Sequence, residues 1–283
     1  MNDMKNKVTF CISTFNNLNY LKLAIESVRE YSFYKNAPFI IHAENCTDGT
    51  NEWLIENKDR YNLTVYIEDN DNPRGIGGGM NFCAEKVETE FIMFLHSDFY
   101  VSPNWDLHCM NMFEKYPDKK MWVFSQRIQP NIFNEKSRPA THVVPIDWFG
   151  AYHNDFDKDS FIEYAKDFSE MNDTEFEWGE GVSGLIRKSD WDFMGGNDPI
   201  FSPTSWEDKD LFLRMLYEDY KLVVTTKSVI WHFGARGSHR LEENNGKSSE
   251  RQIESEKKNA RNWMNKWGKP PVFNEIGFIK KFI

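Results

Sequence analysis

The sequence predicts an α/β protein organised on a doubly wound, mostly parallel sheet. Three observations predict it. Four short runs, at 8–14, 39–43, 63–67 and 91–95, are rich in β-branched and aromatic residues and nearly free of charge, and Phe91-Ile92-Met93-Phe94-Leu95 is apolar enough to be buried on both faces. Segments with apolar residues at helical spacing alternate with them, as in consecutive βαβ units. The fourth run passes without a turn signal onto His96-Ser97-Asp98, and in parallel sheets ligands collect at the carboxyl ends of the strands.

The first strand, Val8-Thr9-Phe10-Cys11-Ile12-Ser13-Thr14, ends in Phe15-Asn16-Asn17, a polar turn able to start a helix. Leu21, Leu23, Ala24, Ile25 and Val28 follow at helical spacing. After the second strand, Glu44-Asn45-Cys46-Thr47-Asp48-Gly49-Thr50 is dense in turn and capping residues and precedes a helix over 51–58. The third strand leads into a polar loop with Gly75, Gly77, Gly78 and Gly79, then a helix over 80–87. Glycines placed there allow close approach to an anion or serve tight turning, and no GKS or GKT ending completes a phosphate loop.

Beyond Asp98 a helix is expected over 104–115 and a strand over 121–125. An irregular stretch over 128–177 is assigned to substrate selection, because long irregular segments cover or shape sites. Regular structure returns at 181–188. Trp206-Glu207-Asp208-Lys209-Asp210 then opens a helix with Leu211, Phe212, Met215 and Leu216 on one face. Carboxylates suit a helix start, so capping is the plain reading of Glu207, Asp208 and Asp210. Short strands at 222–225 and 228–231 follow, the second running into His232-Phe233-Gly234. A polar stretch over 235–249 precedes a last helix over 250–267, with Ile253, Ala260, Trp263, Met264 and Trp267 on one face. That face can cap the monomer or pair with a copy of itself.

The chain has 283 residues, 40% of them apolar, enough for a sizeable core. Its aromatic share of 16% includes rings outside periodic runs, at Trp148, Phe149, Trp178, Trp191 and Trp206, which either pack or stack on a flat ligand. A net charge of −10 argues against a protein that holds nucleic acid mainly through its phosphates, although Arg127, Lys136, Arg138, Arg236, Arg240, Lys247 and Arg251 leave room for a local basic groove. Cys11, Cys46, Cys83 and Cys109 lack zinc-type spacing and read as reduced thiols. The polar start leads straight into a strand, with no signal peptide, and no run approaches the roughly 20 apolar residues of a membrane span. A cytoplasmic protein is expected.

Four separated stretches together resemble a family-2 glycosyltransferase of the GT-A fold. They are Ser13-Thr14-Phe15-Asn16, the Glu44 to Thr50 turn, His96-Ser97-Asp98, and Trp206-Glu207-Asp208 followed by His232-Phe233-Gly234. The resemblance implies a nucleotide-diphosphate sugar donor, a UDP-sugar first among candidates, a divalent metal (Mn²⁺ or Mg²⁺), and single-displacement transfer with inversion. It implies that Thr14 and Phe15 meet the donor base, that Glu44 accepts hydrogen bonds from it, and that Asp69 and Arg74 face the nucleotide. Ala43 stands where many members carry a second acidic residue.

His96-Ser97-Asp98 matches the family's DxD with His for the first Asp. The resemblance makes Asp98 a metal ligand, with Ser97 beside the donor. His232 is the second ligand and His96 a third, and a carboxylate with imidazole suits Mn²⁺ better than Mg²⁺. Asp208 takes the role of general base, Glu207 is its reserve, and Trp206 stacks on the acceptor. The expected organisation is one GT-A domain over 1–240, with a nucleotide-sugar half over 1–100 and an acceptor half over 101–240, and a C-terminal extension over 241–283. The acceptor is a hydroxyl on a glycan, a protein or a modified nucleic acid base. The rival readings are a non-catalytic sugar-nucleotide binder and a nucleotidyltransferase.

Overall fold

The computed structural model describes residues 7–132, 138–178, 184–234, 248–275 and 277–282. Part of the 181–188 run, together with Lys136, Arg236, Arg240 and Lys247, lies outside them. The first half alternates as expected: β1 (Val8–Thr14), α1 (Leu18–Tyr31), β2 (Phe39–Glu44), α2 (Thr50–Asn57), β3 (Leu63–Glu68), α3 (Gly75–Glu85) and β4 (Phe91–His96). β3, β2, β1 and β4 lie side by side, all parallel. Ser13 on β1 registers with both His42 on β2 and His96 on β4, so three strand tips end level.

The second half adds β5 (Phe99–Val101), α4 (Trp105–Lys115), β6 (Met121–Pro130), β7 (Thr141–Val144), α5 (Ile146–Phe149), α6 (Lys158–Met171), β8 (Glu175–Glu177), β9 (Gly184–Arg187), α7 (Lys188–Met194), α8 (Glu207–Tyr217), β10 (Lys221–His232) and α9 (Glu250–Trp267). A short hairpin of β11 (Val272–Phe273) and β12 (Ile279–Lys280) follows. The sheet continues from β4 through β9, β6 and β10 to β5. β9 runs antiparallel between β4 and β6, β10 is parallel to β6, and β5 folds back antiparallel on β10. One apolar cluster joins α1 and α4 to the sheet; a second lies under α3, α7, α8 and α9; a third gathers Phe149, Phe161, Trp231 and Phe233 beneath α5 and α6.

Three expectations are corrected. The described part of the 128–177 stretch is not irregular: β6 runs on to Pro130, and α6 is a 14-residue helix whose Asp157 accepts from the Ser160 N–H and whose Phe161 and Ala165 are buried at i, i+4 spacing. The two strands expected at 222–231 are one strand with a register shift between Thr225 and Val229. The glycines of 75–79 sit inside α3, because the helix runs hard against its neighbours. A Cβ on Gly79 would lie 2.0 Å from Ser13 Oγ, and one on Gly77 would lie 3.2 Å from Glu207 Cγ. Close packing of α3, rather than an anion cradle, explains the run.

Phe149, Trp178 and Trp191 are buried and pack, whereas Trp148 is exposed. The four cysteines are free thiols. No helix among the described residues is long and apolar enough to cross a membrane.

Gly75 has φ +68°, and an added Cβ would fall 1.9 Å from the Pro203 carbonyl oxygen, to which the Ile76 N–H donates at 2.9 Å. Gly75→Ala is therefore expected to lose about 2 to 4 kcal/mol in urea unfolding. Gly195→Ala, at φ +72° with nothing within 4 Å of the new carbon, is expected to lose only about 1 kcal/mol.

Candidate functional site

A cavity of about 330 Å³ opens at the carboxyl ends of β1, β2 and β4. Its walls come from the loop after β1 (Thr14, Phe15, Asn17), the tip of β2 (Glu44), the turn after β4 (His96, Ser97, Asp98), the segment entering α8 (Trp206, Glu207, Asp208) and His232. Of the residues singled out in the sequence, Asp69 and Arg74 do not line it. Asp69 is exposed, and the Arg74 side chain turns away to pair with Glu68 (Nε to Oε2 2.8 Å) over the Phe82 ring.

Glu44 lies in the wall, yet its carboxylate is engaged: Oε1 accepts from the Arg74 N–H at 2.7 Å and Oε2 from the Gly75 N–H at 2.9 Å. It fastens the start of α3 to the tip of β2. Asp48 does comparable work, accepting from the backbone N–H of Leu18 and of Thr50. His42, Glu44 and Glu68 form the one group of three potential metal-binding side chains among the described residues. Its donors and acceptors are already engaged: Glu44 holds the Arg74 and Gly75 N–H groups, His42 Nε2 and Glu68 Oε2 are 3.0 Å apart, and hydrogen bonds from Arg74 and then His42 hold the Glu68 carboxyl down to about 2. This is a hydrogen-bonded brace between strands.

Asp98 and His232 meet because β5 returns along β10. The register pairs His232 with Phe99, the Phe233 N–H donates to the Asp98 carbonyl at 3.1 Å, and His232 Nε2 comes to 3.5 Å from Asp98 Oδ2. His232 Nδ1 lies 3.2 Å from Gln129 Oε1. An imidazole and a carboxylate side by side are a donor set that suits a divalent cation. His96 stacks on Phe99 at 5.1 Å, and the same ring meets His232 edge-on at 4.9 Å. His96 does not complete a three-residue cluster with Asp98 and His232. Ser97 Oγ accepts from Asn17 Nδ2 at 2.7 Å, tying the turn to the start of α1.

Across the cavity, Ser205 and Trp206 both hold positive φ, +75° and +77°, a strained conformation for residues with side chains. It turns the chain abruptly into α8, so that Glu207 and Asp208 enter the site. Glu207 is buried, its Oε2 finds no partner among the described residues, and burial followed by the charge of Asp208 pushes its carboxyl up to about 8. Asp208 is half-buried, with Oδ1 accepting from the Lys209 N–H at 2.7 Å. Asp210 points elsewhere: it is fully buried and takes Arg214, Lys266 and the Trp267 indole N–H.

The strained turn is held from two sides. α3 supplies the Ile76 N–H to Pro203, and α9 supplies a row of polar side chains. Asn259 Nδ2 donates to the carbonyls of Phe201, Thr204 and Ser205 at 2.6, 2.8 and 3.0 Å, Ser255 Oγ to that of Thr204, and Gln252 Nε2 to Ser205 Oγ. Trp206 packs on Trp263, which is fully buried. So α9 caps the monomer through its polar stripe and Trp263, while Ile253 and Met264 of the expected apolar face stay exposed. Sequence reading named Arg251 only as part of a possible basic groove and missed its place in this wall, with Gln252 and Glu256 beside it in the cavity lining. The signal was Gln252, Ser255, Asn259 and Asn262, hydrogen-bonding side chains on one helix face.

The sequence profile of glycosyl transferase family 2 matches residues 9–179, more than half of the chain. The chain belongs to glycosyl transferase family 2. Similar solved structures include S. aureus TarS (15% identity, 80% of this chain and 36% of that one, TM-score 0.55) and GalNAc-T7 with UDP, GalNAc and Mn²⁺ (14%, 80% and 43%, TM-score 0.59). S. aureus TarS 1-349 in complex with UDP matches at 15% identity, 80% and 60% coverage and TM-score 0.53. The likeness gives this family-2 chain the GT-A fold, and the chain spans less than two thirds of each of these structures. A search of curated proteins gives no match. Trp206, Glu207, Asp208, His232 and α9 all lie beyond the stretch the family profile covers.

A buried carboxyl with a raised pKa holds its proton more tightly when folded. Its contribution to stability is intact below its ordinary value of 4.5 and is lost as pH rises through about 8. Thermal unfolding between pH 5 and 9 is therefore expected to show wild-type stability falling toward the alkaline end, with Glu207→Gln flattening that slope.

Proposed function

We propose that the protein is a metal-dependent, inverting glycosyltransferase that moves a sugar from a nucleotide diphosphate, UDP first among them, to an acceptor hydroxyl. One observation carries this reading. A single cavity gathers the tip of β1 with Thr14 and Phe15, the Asp98–His232 pair, and Asp208 at the entry to α8. These are the three things a single displacement needs: a shelf for the nucleotide, a cation at its phosphates, and a base on the acceptor side.

Phe15 offers its ring to the base. Asp98 and His232 would hold a divalent ion, with Mn²⁺ favoured by the imidazole, and such an ion offsets the charge of the departing diphosphate. Asp208 accepts the proton of the acceptor hydroxyl as its oxygen bonds to the anomeric carbon. The bond from that carbon to the phosphate oxygen breaks, the nucleoside diphosphate leaves with the electron pair, and the configuration inverts. Glu207, protonated at neutral pH by its burial, donates a hydrogen bond to a sugar hydroxyl. Trp206 provides an apolar face for the acceptor sugar.

Thermal-shift measurement with UDP, GDP and dTDP, with and without Mn²⁺, tests the reading, since a ligand of the folded state raises its stability. One nucleotide is expected to stabilise the protein in a metal-dependent manner, and Asp98→Ala to remove that dependence. Asp208→Asn is expected to keep the shift while lowering turnover of the matching nucleotide sugar by about 10²-fold or more. Normal turnover by Asp208→Asn would remove it as the base, and no shift with any nucleotide would remove the donor reading.

A further inference from the structure

We propose that Arg251, in the first turn of α9, is a ligand for the diphosphate of the nucleotide donor, which makes α9 a wall of the donor pocket. The proposal rests on the donor reading above and adds to it a residue from outside the stretch matched by the family profile. Arg251 lines the cavity together with Gln252 and Glu256. Its guanidinium lies 4.4 Å above the ring of Phe15, and among the described residues it makes no ion pair or hydrogen bond. A planar fork with five donors, held over an aromatic ring and lacking an anion, is suited to two oxygens of a phosphate group.

Position favours this cation over Lys209, which also lines the cavity. The diphosphate is joined to the base through one ribose, so it lies close to whatever carries the base. Arg251 touches Phe15, whereas Lys209 lies 4.9 Å above Trp206 on the acceptor side. The cavity also needs the charge: the carboxylates of Asp98, Asp208 and Glu256 all border it. The backbone bearing Arg251 is fixed. The neighbouring Gln252 bonds Ser205, and Ser255, Lys258, Asn259 and Asn262 bond carbonyls between Ile200 and Ser205. Only the side chain has to be ordered when the ligand arrives, which limits the entropy lost.

Isothermal titration in the presence of Mn²⁺ tests this with wild type, Arg251→Ala and Arg251→Lys. Each diphosphate is paired with its nucleoside: UDP with uridine, GDP with guanosine, dTDP with thymidine. For the pair that wild type binds, Arg251→Ala is expected to weaken the diphosphate on the order of tenfold while changing the nucleoside less than about twofold, and Arg251→Lys to recover part of the loss. Equal diphosphate affinity in wild type and Arg251→Ala, or an equal loss for diphosphate and nucleoside, would overturn the proposal and leave Arg251 as a cover for Phe15. Failure of wild type to bind any of the three diphosphates would overturn the donor reading along with it. Arg251 is exposed, so unchanged melting temperatures are expected to confirm that the variants fold.

Discussion

The site depends on the antiparallel return of β5 onto β10. Asp98 closes the first half of the chain and His232 closes β10, more than a hundred residues further on. The pairing of Phe99 with His232 brings the two halves to a common edge, and the Phe233 N–H on the Asp98 carbonyl fixes the spacing. Everything that acts at the cavity is arranged around that seam. The level tips of β1, β2 and β4 form one bank and the entry to α8 the other.

The opposite bank is built under strain. Consecutive left-handed residues cost free energy that the rest of the protein has to offset. The offset comes from close packing against the glycines of α3 and from the amide of Asn259, whose two N–H donors are shared among three carbonyls. The buried Asp210 ties α8 to the end of α9 through Lys266 and the Trp267 indole. The helix carrying Asp208 and the helix carrying Arg251 are thus joined at both ends, so these two cavity-lining residues share one support.

Much of the fold could be read from residues that act locally. Strand runs such as Phe91–His96 declare themselves by lack of charge, and the bounds of α9 follow from Ser249 at one end and Gly268 at the other. What escaped was set by distant contacts. The glycines of α3 look like a loop until Ser13 and Glu207 are seen pressed against them, and no pattern within 75–79 records those neighbours. α6 was hidden because its apolar stripe, Phe161 and Ala165, is short and set among aromatic residues that suggested no period. At the site, the gathering of Asp98, Asp208 and His232 around one cavity was legible, because strand tips and helix starts meet at the carboxyl edge of such a sheet. Asp69 and Arg74 were read into the wall from their place after β3, and an ion pair with Glu68 draws the arginine out of it.

The seat of α9 has a consequence for how freely this protein can change. Asn259, Ser255, Lys258 and Asn262 address main-chain carbonyls of the 200–205 segment rather than its side chains. Carbonyl oxygens are the same whatever residue carries them, so an exposed side chain of that segment can be exchanged without losing these bonds, while the buried Phe201 and the Ser205 hydroxyl, which bonds Gln252, remain part of the seat. The tolerance is one-sided: the four donors on α9 have to persist, while exposed positions such as Ile200 in the segment beneath them are open to variation.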